Sequence, residues 1–101
     1  MMKFWLLDDL PKNQLRIGQI LATPGALAAL RESNASLHGL LVRHMQGDWG
    51  DVGPEDWTAN DQALIRSERI LSAYSIENNQ TLWIITEWDR SMTTVLLPEE
   101  Y

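Results

Sequence analysis

ERILSAYSIENNQTLWIITEWDRSMTTVLL, residues 68 to 97, is the stretch on which the fold turns. Residues 68 to 76 alternate, with Ile70, Ser72, Tyr74 and Ile76 opposed to Leu71 and Ala73. That period of two marks a strand with one face on a core. Glu77-Asn78-Asn79-Gln80 reads as a turn, and TLWIITEW (81 to 88) is rich in β-branched and aromatic residues. Asp89-Arg90-Ser91 reads as a second tight turn, and MTTVLL (92 to 97) as a strand ending at Pro98. Strands joined this closely form an antiparallel meander.

Upstream the pattern changes. QLRIGQILA (14 to 22) alternates and predicts a strand. Thr23-Pro24 reads as an N-cap and first helical position, opening a short helix that runs to about Arg31. Ser36 caps a second helix, LHGLLVRHMQ, with Leu37, Leu40, Leu41 and Met45 on one stripe and His44 at its border. Gly47 stops that helix. Gly47, Gly50, Gly53 and Pro54 make a compact connector. A third helix then starts at Pro54, with Glu55 and Asp56 where the helix dipole favours acids. It runs to about Arg66, with an interruption expected near Asn60-Asp61. The expected fold class is therefore α+β: an N-terminal strand, three short helices, then a three-stranded antiparallel meander.

The chain of 101 residues fits one domain, with residues 1 to 13 expected as a loosely attached N-terminal segment. Hydrophobic residues make up 45%, enough for a core. No run reaches the ~18 or more apolar residues that cross a bilayer. Asp8 and Asp9 make the first residues a poor signal peptide. There is no cysteine, so no disulfide, thiolate metal site or Cys nucleophile. These features point to a cytoplasmic protein with no membrane contact.

The net charge of −6 counts against a general phosphate binder. Nucleic acid would need a local patch drawn from Arg43, Arg66, Arg69 and Arg90. The acids of the connector do not make a calcium loop: counting from Asp48, Gly50 and Val52 stand where ligands are required. His38 and His44 are six apart and share no helix face, so no metal pair and no cofactor is expected.

Two clusters carry candidate chemistry. His44, Arg90, Thr93 and Thr94 could serve a metal-independent ribonuclease, with His44 as general acid or base and Arg90 on the phosphate. Trp49, Asp51, Trp57, Trp88 and Arg90 are candidate binding residues on the connector and the hairpin end. The plainer readings are a helix-terminal histidine, tryptophans that close a small core, and threonines that suit strands. Trp83 is expected in the core and Trp88 at the surface.

RHMQGDWGDVGPEDWTANDQAL, RILSAYSI and LWIITEWDRSMTTVLLPEEY, with QILATPGALAAL upstream, resemble a family of small proteins of bacterial plasmids and other mobile elements. The resemblance spans roughly residues 17 to 101. Its specific wording is RH..GDWG and WIITE.DRS.TT.LLP.EY; the family has a small residue where this chain has Trp88. The resemblance implies a bacterial cytoplasm and mobile DNA, and no mechanism. The order of elements is also similar to the RelE/barnase-like ribonuclease toxins, an analogy of shape alone. The leading expectation is a non-enzymatic module that binds a protein partner. The alternatives are the small ribonuclease toxin and an acidic nucleic-acid mimic that blocks a defence enzyme. The sequence does not give an oligomeric state.

Overall fold

A computed structural model describes residues 15 to 101. The expectation for residues 1 to 13 lies outside them. The order is β1 (Gln19–Ala22), α1 (Pro24–Arg31), α2 (Leu37–Met45), α3 (Pro54–Arg66), β2 (Ile70–Ile76), β3 (Gln80–Thr86) and β4 (Met92–Leu96), then a 3-10 turn, Pro98–Glu100. The α+β class and the meander of β2, β3 and β4 are as the alternation implies. The difference lies in β1. It is not a separate strand but the fourth member of the sheet, parallel to β4, in the order β1-β4-β3-β2. It is also shorter than the alternation predicts, because Gly18 takes a left-handed φ of 58° and breaks the extended backbone ahead of it.

Local chemistry sets the helix ends. The Thr23 hydroxyl accepts from the Ala26 amide at 3.0 Å, and the Ser36 hydroxyl from the Gly39 amide at 3.1 Å. Pro54 opens α3, with Glu55 and Asp56 in its first turn. The expected interruption at Asn60-Asp61 does not occur. Asn60 instead turns inward, and its side-chain amide donates to the Leu71 carbonyl at 2.8 Å. The side chain does the work of a neighbouring strand, so the helix needs no break.

Alternation sorts the sheet into two faces. Ile70, Ser72, Tyr74, Leu82, Ile84, Thr86, Thr93 and Val95 point toward the helices, as the strand registers require. Tyr74, Leu82, Ile84 and Val95 pack there with Ala26, Leu40 and Leu41. A second cluster joins Leu15, Trp49, Ala63 and Ile70. Leu71, Ala73, Trp83, Ile85, Thr94 and Leu96 point to the opposite face. Trp83 is half-buried there and meets Tyr101 edge-on at 5.6 Å, so it lies outside the helix-covered core expected for it.

A buried histidine relay as candidate functional site

His44 is fully buried in the last turn of α2. Its Nδ1 lies 2.6 Å from the Ser72 hydroxyl and its Nε2 2.9 Å from the Thr86 hydroxyl. Thr86 is 2.6 Å from Thr93, whose hydroxyl donates to the Ile17 carbonyl at 2.8 Å. The protons along this chain can be assigned by elimination. A hydroxyl has one hydrogen, and Thr93 gives its own to Ile17. Thr86 must then donate to Thr93, so it can only accept from His44. Nε2 therefore carries the ring hydrogen, and Nδ1 accepts from Ser72. The relay runs one way, from histidine to backbone, and burial favours the neutral imidazole, in which Nδ1 is the acceptor. Burial, and then the charge of Arg90, push the His44 pKa down from 6.5 to about 4.

The neighbourhood is built to match. The indole of Trp49 meets the His44 ring edge-on at 5.8 Å and donates its N–H to Asp61 at 2.9 Å. Tyr74 donates its hydroxyl to the Asp48 carbonyl at 2.6 Å, and burial pushes its phenol up to about 12. Arg43 lies 4.6 Å above the Tyr74 ring and grips both oxygens of Asp48, at 2.7 and 3.3 Å. That grip raises the Arg43 pKa and lowers that of Asp48.

The four candidate catalytic residues are only partly brought together. His44 and Thr93 share the relay through Thr86. Thr94 does not join them: it is the next residue on β4 and faces the other side of the sheet, across from Ile85. Arg90 is not free to hold a phosphate. Its guanidinium donates to the carbonyls of Glu68 at 2.6 Å, Ala63 at 3.0 Å and Glu87 at 3.2 Å. It thereby fastens the β3–β4 turn to the end of α3, where the helix dipole favours a cation. A cleft of about 400 Å³ is lined by Gln80, Thr81 and Leu97 among others, and one of about 200 Å³ by Val52, Asp56 and Asn60 among others. None of the four candidate residues lines either cleft.

The binding candidates also separate. Trp49 is 0% exposed and belongs to the core, because its flat ring fills the space beside His44 and Ala63. One oxygen of the exposed Asp51 carboxylate accepts from the Ser75 hydroxyl and amide, at 2.6 and 3.1 Å. Trp57 is half-buried against the second cluster. Trp88 is 64% exposed, as its place at the hairpin end predicts. Three of the four arginines that a basic patch would draw on are engaged: Arg43 pairs with Asp48, Arg69 lies 3.8 Å from Glu87, and Arg90 is held by carbonyls, while Arg66 is exposed. Among the described residues, no group of His, Cys, Asp and Glu is arranged to hold a metal ion. No described helix is long and apolar enough to cross a membrane.

Ser72 and Thr86 complete the site, and spacing alone does not single them out. Their signal lies in the alternation, since each is a polar residue on a mostly apolar strand face. Comparison with protein-family models, curated proteins and solved structures finds no match for this chain.

Proposed function

We propose that this chain is a non-enzymatic protein-interaction module of the bacterial cytoplasm, carried by a mobile element. Its contact surface is the corner where the β3–β4 hairpin meets the last turn of α3. The observation that carries this reading is two exposed apolar side chains on elements that Arg90 ties together. Trp88 is 64% exposed and Ile65 is 81% exposed. Arg90, at a left-handed φ of 61°, holds their two elements together through the carbonyls of Ala63 and Glu68. A tryptophan on a rigid pedestal loses little freedom on binding, which is why such residues dominate interface energetics.

The other readings find less support. A general acid or base must reach its substrate, and both nitrogens of His44 are sealed in the relay. A nucleic-acid mimic needs a continuous stripe of free acids. Here the Asp48 charge in the connector is paired with Arg43, and the Glu87 carboxylate lies 3.8 Å from Arg69.

The test is affinity capture from a bacterial lysate with wild-type, Trp88→Ala and Ile65→Ser chains, each verified as folded by circular dichroism. Wild type should retain a protein that Trp88→Ala loses by at least about tenfold, the scale of an interface anchor. Equal capture by both would sink the surface. No captured protein, together with RNA cleavage that disappears in His44→Ala, would sink the whole reading.

A further inference from the structure

The sheet has two edges, and the fold treats them differently. On the outer edge of β2, both outward groups of Leu71 and Ala73 and the amide of Ser75 are taken. Leu71 is paired by the Asn60 side chain. Ala73 donates to the Trp49 carbonyl at 3.1 Å and accepts from the Asp51 amide at 2.7 Å. The Ser75 amide donates to the Asp51 carboxylate. That edge is closed to another strand.

The β1 edge has no such cover among the described residues. The amides of Gln19 and Thr23 donate inward, to Ser91 and Val95, at 3.0 Å each. Strand alternation therefore turns the N–H and C=O groups of Ile20 and Ala22 outward. The strand is QILA, with no charge and no proline to discourage pairing. Ile20 and Leu21 are 45% and 40% exposed, on opposite faces, and Leu27 is exposed on the helix that leaves the strand.

We infer that β1 pairs antiparallel with β1 of a second copy of this chain, centred on Leu21, to form one continuous sheet across a two-fold axis. The direction of the backbone groups selects the register. Outward residues must oppose outward residues, so Ile20 meets the partner's Ala22 and Ala22 meets the partner's Ile20. On the helix side this sets a large side chain against a small one. On the other face Leu21 meets the partner's Leu21. Centring on Ile20 instead would require Gly18 to be extended, and its φ of 58° forbids that. The assembly also terminates. Each end of the joined sheet is a closed β2 edge, so the contact gives a dimer and not a fibre. So short a contact falls below the roughly 1,200 Å² typical of stable interfaces, and the dimer is a weak one.

Sedimentation equilibrium of the full chain, from about 10 μM to about 1 mM, tests this in the range of weak association. Wild type should show a concentration-dependent monomer–dimer equilibrium and nothing larger. Ile20→Pro removes an outward N–H and leaves the β1–β4 ladder intact, since proline is tolerated on edge strands. It should raise the dissociation constant at least about tenfold. Leu21→Lys, at an exposed side chain, should do the same by opposing like charges, and Trp88→Ala should change nothing. A chain monomeric throughout, species larger than dimers, or a dimer indifferent to both β1 variants would overturn the inference. So would a dimer lost with Trp88→Ala. Because the Trp88 surface is tested by capture and this one by self-association, each can fail alone.

Discussion

Acidification should destabilise this protein well before its carboxylates are protonated, and His44 should be the cause. The folded state holds the imidazole neutral, with a pKa pushed from 6.5 to about 4 by burial and then by Arg90. The unfolded chain restores the ordinary value. Between those two pH values the unfolded chain takes up a proton that the folded chain refuses. The stability tied to neutral His44 is therefore complete above pH 6.5 and is lost as pH falls toward 4. The gap between the two values corresponds to about 3 kcal/mol, of which about 2 kcal/mol is lost from pH 8 to pH 5. For a small domain stable by roughly 5–15 kcal/mol, that is a large fraction. The carboxylates of Asp48, Asp89 and Glu100 are held below their ordinary range by hydrogen bonds, so they act in the same direction only at lower pH.

The assay is urea unfolding followed by tryptophan fluorescence at pH 8, 6.5 and 5. His38, exposed on the same helix, is replaced by Gln in every sample so that one histidine is read. His44→Gln is the comparison. Its amide can donate to Thr86 and its carbonyl can accept from Ser72, but it cannot take a proton in this range. Wild type should lose about 2 kcal/mol across the window and the Gln variant a few tenths at most. Nitrogen NMR of the wild-type ring should show the hydrogen on Nε2 and a titration midpoint near 4. A flat wild-type profile, or the same slope in the Gln variant, would refute the assignment of the relay.

Further substitutions test the packing. Thr93→Val keeps the shape but leaves the Ile17 carbonyl and the Thr86 hydrogen unpaired, and should cost about 1–3 kcal/mol in urea unfolding. Thr93→Ser should recover most of that, and equal losses from Val and Ser would rule the hydroxyl out as the cause. Gly50→Ala should be strongly destabilising, by about 2 kcal/mol or more, because φ is 77° and a Cβ would stand 2.1 Å from the Ala73 carbonyl oxygen. Gly53→Ala, whose Cβ would meet nothing within 4 Å, should be close to neutral, and a thermal melt separates the two.

Most elements were legible because local rules and tertiary packing agree. Thr23 and Ser36 cap where their side chains can reach a free amide, and the meander follows from alternation broken by turn residues. Asn78 and Asn79 both adopt left-handed backbone, which asparagine tolerates at a tight turn. What could not be read was long-range. Nothing in QILA says that it lies parallel to β4, because that pairing joins residues far apart in the chain. The histidine was legible as a partly buried residue at the end of α2, but neither its complete burial nor its partners were. Its partners Ser72 and Thr86 lie on β2 and β3, and only the assembled sheet puts them beside it. Arg90 misled for a related reason. An arginine in a turn looks available, and here its charge is taken by the carbonyl end of α3.

The relay also bears on how so small a core selects one arrangement. Apolar contact among Leu40, Leu41, Leu82 and Val95 is non-directional. Leu15 and Ile17 pack the segment entering β1 against the core, and the relay adds a directional bond that does not tolerate a slip. It crosses α2, β2, β3 and β4 and ends on the Ile17 carbonyl, and each hydroxyl has a single hydrogen to give. Moving Ile17 strands the Thr93 hydrogen, and every bond behind it was oriented by that first commitment. The groups are dry, so each stranded one is expensive. Residues that in composition resemble a hydrolase site thus act as pegs that fix strand order and register. In the proposed reading, recognition falls to the margins that this rigidity holds still: Trp88 and Ile65 at one corner, and the edge of β1, uncovered among the described residues.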